Sequence, residues 1–181
     1  MADPAGPETS GRLLTGSGSA ALAELAERLQ HLAITQGVTV GTAESCTGGL
    51  VGHAITAVPG SSAYYLGGII SYADRLKVAL LGVAATTIDR HGAVSAQTAV
   101  AMAEGLRERL ACDLAVAVTG VAGPDGGSAA KPVGLTYVAV AGPAGHQVER
   151  HTWDGDRAAN QERTVEVALT MLIAALDGDR P

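Results

Sequence analysis

The run Thr42-Ala43-Glu44-Ser45-Cys46-Thr47-Gly48-Gly49 gathers hydroxyls, a thiol and two glycines between an apolar stretch and an amphipathic one. Such a segment reads as a strand-to-helix junction, and in open α/β sheets ligands bind beyond the carboxyl ends of strands. Ser45, Cys46 and Thr47 fall where the first N–H groups of a helix lack intrahelical partners. Gly48 and Gly49 let a ligand approach the backbone closely. A helix start of this kind can hold a phosphate or an oxyanion. The same spacing equally suits a plainer task, in which Ser45 or Thr47 caps the helix. A nucleophilic serine needs a base. The five histidines (His31, His53, His91, His146 and His151) are scattered, no Gly-x-Ser-x-Gly elbow surrounds any serine, and no His-Glu-x-x-His spacing marks a metal site. Lysine can serve when desolvation or a nearby cation favours its neutral form. The chain has two lysines, Lys77 and Lys131.

Lys77 falls one turn into a helix that follows a strand, five residues after Tyr72. From position alone a solvated surface lysine is the alternative. Ser128-Ala-Ala-Lys131 matches the Ser-x-x-Lys pattern, which needs a helix to bring both side chains to one face. Gly126-Gly127 before it and Pro132 after it make the segment a loop, so it is rejected as a dyad. The run Gly120-Val-Ala-Gly123-Pro-Asp125-Gly-Gly127 leaves a strand at Thr119, and its four glycines and one proline shape it for close backbone approach. It lacks the Gly-Lys-Ser/Thr ending of a P-loop. Asp125 orients a ligand or caps the turn. In Gly155-Asp156-Arg157, Asp156 is a helix N-cap, and Arg157 lies at the unfavourable positive end of the helix dipole. That local cost suits the capture of a phosphate or carboxylate, or a salt bridge. Trp153 reads as core, and Cys46 as a structural thiol with a second claim to be a nucleophile.

Positioning these residues requires a core. The chain has 181 residues, of which 47% are hydrophobic, and this suits one domain. Residues 1–18 are rich in Pro, Gly, Ser and Thr and read as a disordered leader, with one domain over 19–177. Apolar spacing predicts helices over 19–36 and 47–57, one with Asp74 as N-cap that runs to Leu81, one capped by Ser95 that runs to Leu110, and one over 157–176. Strands are expected at 38–43, 65–73 and 114–119, followed by a hairpin of 134–141 and 147–153 joined by a longer turn. This order predicts an α/β fold: a three-layer α/β/α sandwich with a mixed, mostly parallel sheet. Twelve basic against eighteen acidic residues, a net charge of −6, argue against nucleic acid as a partner. Aromatics make up 3% with no Phe, which leaves no platform for stacked bases. The apolar runs are shorter than the ~18 residues of a membrane span, and no secretory signal opens the chain. Two cysteines cannot build a disulfide framework. A cytoplasmic location is expected.

Several segments together resemble the CinA C-terminal domain family. They are Thr42–Gly49, Ser71-Tyr72 with Lys77, Leu80-Leu-Gly-Val83, His91-Gly-Ala-Val-Ser95, Thr119–Gly127, Lys131-Pro-Val-Gly134 and Gly155-Asp156-Arg157, within about Ala21 to Leu176. The resemblance implies a nicotinamide-nucleotide amidase of pyridine nucleotide salvage, which converts nicotinamide mononucleotide to nicotinic acid mononucleotide and ammonia. Carried over by motif, Ser45 is the nucleophile, Lys77 its general base, and Tyr72 an aid to proton movement or orientation. Lys77 must then be uncharged to accept the serine proton, which burial or a nearby Arg157 would favour. Cys46, Thr47, Gly48, Gly49, Thr119, Gly120, Gly123 and Arg157 belong to the substrate pocket, with N–H groups at the start of the Thr47 helix on the oxyanion. No metal or organic cofactor is implied. The family's additional N-terminal domain is expected to be missing. Alternatives are a non-catalytic nucleotide-binding or regulatory module linked to competence or DNA damage, or an amidase for another small amide. Ala-rich helix faces such as Val94 to Leu110 predict a homo-oligomer.

Overall fold

The computed structural model describes residues 17–178. The expected leader at 1–16 lies outside the described residues, and Ser17 and Gly18, assigned to it from composition, instead begin the first helix. In chain order the elements are α1 (Ser17–Gln36), β1 (Val40–Glu44), α2 (Leu50–Thr56), a short 3-10 turn (Ser61–Ala63), β2 (Tyr65–Ile70) and α3 (Asp74–Leu81). Then come α4 (Ala85–His91), α5 (Ala96–Leu110), β3 (Leu114–Gly120), β4 (Leu135–Gly142), β5 (Gly145–Thr152) and α6 (Arg157–Asp177). The sheet runs β2-β1-β3-β4-β5. Strands β2, β1 and β3 are mutually parallel, and the β4–β5 hairpin continues the sheet antiparallel from β3. The mixed sheet of the expected sandwich is thus parallel on one side of β3 and antiparallel on the other.

Two layers of helix follow from the alternation of large and small residues along the strands. Successive strand residues face opposite sides. In Leu114-Ala-Val-Ala-Val118 one face carries Leu and Val and the other Ala. Val40, Val116, Val118, Val138 and Val140 pack with Leu29, Ile55, Leu169 and Leu172 under α1, α2 and α6. On the reverse, Ala43, Ala115, Ala117, Ala139 and Ala141 meet Leu81, Ala99, Met102 and Ala103 from α3 and α5. The small residues let α5 come close, and a Cβ at Gly105 would collide with the Leu81 carbonyl. The face of α5 that carries Ala99 and Ala103 is therefore buried on its own sheet.

Other differences are local. Helix α2 starts at Leu50 rather than Thr47, because Gly48 and Gly49 take φ of 64° and 105°, left-handed angles outside the right-handed helix, and Gly49 is its N-cap. Ala73, not Asp74, is the N-cap of α3. Helix α4 went unpredicted, since Ala85-Thr-Thr-Ile-Asp-Arg-His91 has little apolar period. The hairpin turn is only Pro143-Ala144, since Gly142 already pairs with Gly145. Ser95 and Asp156 cap α5 and α6 as expected, accepting from the N–H groups of Thr98 and Ala159. No helix among the described residues is long and apolar enough to cross a membrane.

Candidate active site

The carboxyl ends of the three parallel strands open on one cleft of about 250 Å³, walled in part by Ser45, Tyr72, Lys77, Thr119 and Arg157. Ser45 extends β1 by one residue, its N–H donating to the Val118 carbonyl at 3.0 Å. The chain then turns sharply away, which leaves the hydroxyl at the sheet end. Lys77 arrives from α3 and is 1% exposed. Its Nζ donates to Ser45 Oγ at 3.1 Å, to the Ser71 carbonyl at 2.9 Å and to the Tyr72 carbonyl at 3.4 Å. The Asp74 carboxylate lies 3.5 Å from the same nitrogen. Lys77 is thus no solvated surface lysine: its amine is held at the serine by the carbonyls of Ser71 and Tyr72, which follow β2. Among the described residues no histidine lines the cleft.

Across the cleft, Arg157 opens α6 and bridges two walls. Nη1 donates to the Gly123 carbonyl at 2.9 Å, and Nη2 to the Tyr72 hydroxyl at 3.1 Å. The exposed Tyr72 ring therefore meets Lys77 through its backbone carbonyl, while its hydroxyl is engaged by Arg157. Asn160 stitches the same corner, donating from Nδ2 to the carbonyls of Ala122 and Gly155 and accepting the Gly155 N–H. Thr119 Oγ1 donates to the Ala93 carbonyl at 2.8 Å, which holds the segment before α5 against the cleft. Lys131 sits in a loop, as expected, and its Nζ reaches the His91 carbonyl at 2.7 Å.

Cys46 lines the cleft but is poorly suited to nucleophilic attack. Burial, aided by the Glu44 charge, pushes its thiol up to about 12, against weaker opposing effects of its own backbone N–H, Lys77 and Arg157. Its carbonyl accepts from Gln161 Nε2 at 2.7 Å. Gly120, Gly123 and Asp125 also line the cleft, whereas Thr47, Gly48 and Gly49 do not. Thr47 is buried, and its Oγ1 has no hydrogen-bond partner among the described residues. Gly48 and Gly49 shape the turn instead.

The expected oxyanion donors at the start of α2 are already taken. The N–H groups of Gly49, Val51 and Gly52 donate to the carboxylate of Glu44, and Leu50 N–H to the Thr47 carbonyl. Nearest to Ser45 in the chain, the N–H groups of Cys46 and Thr47 have no partner among the described residues. Neither Glu44 nor Asp74 was assigned to the site from sequence. The available signal was an acid at the end of a buried strand, directly before the serine and five residues before Gly49.

The family model of the CinA C-terminal domain matches residues 22–176. A CinA-like protein of Geotalea uraniireducens is 55% identical over 121 residues, covering 67% of this chain and 29% of that protein. The chain spans about a third of the length of the curated relatives it matches. Among solved structures, the competence/damage inducible protein CihA from Agrobacterium tumefaciens is 44% identical with a TM-score of 0.83, over 91% of this chain and 98% of that one. A CinA superfamily protein from Klebsiella pneumoniae is 32% identical with a TM-score of 0.84, over 87% and 98%.

Proposed function

This chain belongs to the CinA C-terminal domain family, and we propose that it hydrolyses the carboxamide of nicotinamide mononucleotide, giving nicotinic acid mononucleotide and ammonia. The observation that carries this reading is the buried Lys77 amine 3.1 Å from Ser45 Oγ, at the end of a parallel sheet and in a cleft without histidine. A serine hydroxyl is a weak nucleophile until a neighbouring base takes its proton, and a lysine amine within hydrogen-bond reach meets that need when neutral.

In the proposed reaction Ser45 Oγ forms a bond to the amide carbon while its proton passes to Lys77 Nζ. The carbonyl electrons move onto oxygen, which the N–H group of Cys46, in the cleft wall, stabilises. Lys77 returns the proton to the amide nitrogen, the carbon–nitrogen bond breaks and ammonia leaves. Water then gives a proton to Lys77 and attacks the ester, which releases the carboxylate and restores the Ser45 hydroxyl. Arg157, Tyr72 and the Gly120–Gly123 backbone serve binding. An arginine that donates to a tyrosine hydroxyl and a carbonyl can exchange these neutral partners for a phosphate, a stronger charge-assisted acceptor. One cation in the cleft wall is compatible with a chain of net charge −6.

Ammonia release from nicotinamide mononucleotide tests the reading. Wild type is expected to turn over, and Ser45→Ala to lose about 10³-fold or more, as removing a nucleophile does in comparable hydrolases. Tight binding without turnover by wild type would favour a regulatory module, and turnover of a different small amide would keep the mechanism and change the substrate.

A further inference from the structure

We infer that Glu44 is the positioning residue of this site: its carboxylate holds the backbone that follows Ser45 and so fixes the hydroxyl opposite Lys77. The inference rests on the serine–lysine reading above. Glu44 is the last residue of β1 and is 2% exposed. A carboxylate so far from water is tolerated only when several donors surround it. Here Oε2 accepts from the N–H groups of Gly49 and Val51 at 2.9 and 3.1 Å, and Oε1 from that of Gly52 at 2.8 Å. The side chain of the residue before the serine thus closes a ring with the backbone that comes after it.

Within that ring the chain has little to hold it. Gly48 and Gly49 both lie at left-handed φ, and glycine has the widest backbone freedom of any residue. The internal bonds are Gly48 N–H to the Ser45 carbonyl at 3.1 Å and Leu50 N–H to the Thr47 carbonyl at 3.2 Å. Gln161 Nε2 holds the Cys46 carbonyl at 2.7 Å from α6, the Gly49 carbonyl accepts the His53 N–H at 2.8 Å, and the carboxylate supplies the anchors on the N–H groups of Gly49, Val51 and Gly52. Glu44 also reaches the other partner of the dyad through its backbone. Its carbonyl accepts the Ser71 N–H at 2.8 Å, and the Ser71 carbonyl accepts Lys77 Nζ at 2.9 Å. Glu44 does not line the cleft, so it acts through Ser45 and Lys77 and not on substrate. The nearby pair of Thr42 Oγ1 and Tyr65 Oη, 2.7 Å apart, lies in the same layer and bonds none of residues 45–49. It provides a matched control.

The test uses Glu44→Gln and Tyr65→Phe in the full chain. Glutamine replaces one oxygen by an amide NH₂, so at least one of the three peptide N–H groups loses its acceptor. Four quantities are measured: Tm, kcat and KM for the amide, and the rate at which a fluorophosphonate probe labels Ser45. Displacement of a catalytic group by about 1 Å costs on the order of 10²-fold. Glu44→Gln is therefore expected to lower kcat and labelling by about 10²-fold with KM within about threefold, while Tyr65→Phe lowers Tm and leaves both rates near wild type. Labelling by Glu44→Gln at the wild-type rate overturns the inference, as does activity that falls in step with Tm in both variants. Should Glu44→Gln fail to fold, Glu44→Asp keeps the charge and shortens the reach by one methylene. It is expected to label about tenfold more slowly, and labelling at the wild-type rate refutes the assignment. A wild type that labels at Ser45 but releases no ammonia defeats the amidase reading alone, and labelling then decides the role of Glu44. A wild type that does neither defeats both, because no reactive serine is there to position.

Discussion

The two ends of β3 make opposite use of similar material. At its carboxyl end the parallel strands converge on a small polar cleft of about 250 Å³, where a buried lysine meets a serine. At its amino end the β4–β5 turn borders a larger hollow of about 670 Å³, walled by residues such as Leu114, Val140, Pro143 and Ala175. The only histidine there, His146, is exposed and pairs with Glu104 at 2.9 Å on the surface. Cavity size therefore does not locate the serine–lysine pair. Strand direction does: parallel strands end together, so their terminal polar residues face one another, whereas a hairpin turns its end into a two-residue loop with nothing to present.

The sharpest way to break that contrast is to remove the amine without opening a void. Lys77→Met keeps an unbranched apolar stem in the buried channel and deletes the group that bonds Ser45 and Ser71. Turnover is expected to fall by about 10³-fold or more, with Ser45→Ala adding little in the double variant, because residues that act as one unit are strongly non-additive. Steady-state ammonia release by the two single variants and the double measures this. Independent, multiplying losses would mean that the two side chains do not form one device.

Most of the parallel half was legible in the sequence, because its signals are local. Alternating Leu, Ala and Val in β3, the cap at Ser95 and the glycine-bounded junction at 42–49 each follow from a rule that spans a few residues. The pairing of Ser45 with Lys77 did not follow from spacing, since thirty-two residues separate them and no periodicity links a strand end to a later helix. It came from the resemblance, and the geometry supplies the contact. The role of Glu44 was hidden for a related reason. Acids near helix starts are usually read as exposed dipole partners within the first turn, and this one reaches α2 from the strand beneath it. Helix α4 and the short hairpin turn were missed because tertiary packing, and not local pattern, decides them.

A smaller effect separates Cys46 from its neighbour. Burial pushes the thiol from its ordinary 9.0 up to about 12, so the folded chain keeps the proton between those values while the unfolded chain loses it. With more protons bound in the folded state, stability falls as pH rises through that window. Below about pH 9 both states hold the proton and the thiol makes no pH-dependent contribution. The Tm of wild type is expected to drop faster than that of Cys46→Ala between pH 9 and 11, and Cys46→Ala to keep turnover within about tenfold of wild type at pH 8, as a packing change in the cleft wall would allow. Thermal melts across that pH range decide it. Parallel Tm curves for the two proteins would mean that the thiol is solvated, and would restore it as a rival nucleophile.

The smallest effect belongs to the hairpin end. His146 and Glu104 have side chains that are 45% and 53% exposed. An ion pair in that setting contributes little, because water screens it and two free side chains must be ordered to form it. His146→Ala is expected to cost no more than about 0.5 kcal/mol, a Tm change of about 1–2 °C, and to leave ammonia release unchanged within about twofold. Differential scanning fluorimetry and the same activity assay measure both. A tenfold loss of turnover here would show that β3 transmits packing changes from one end to the other, and the division of labour between its two ends would fail.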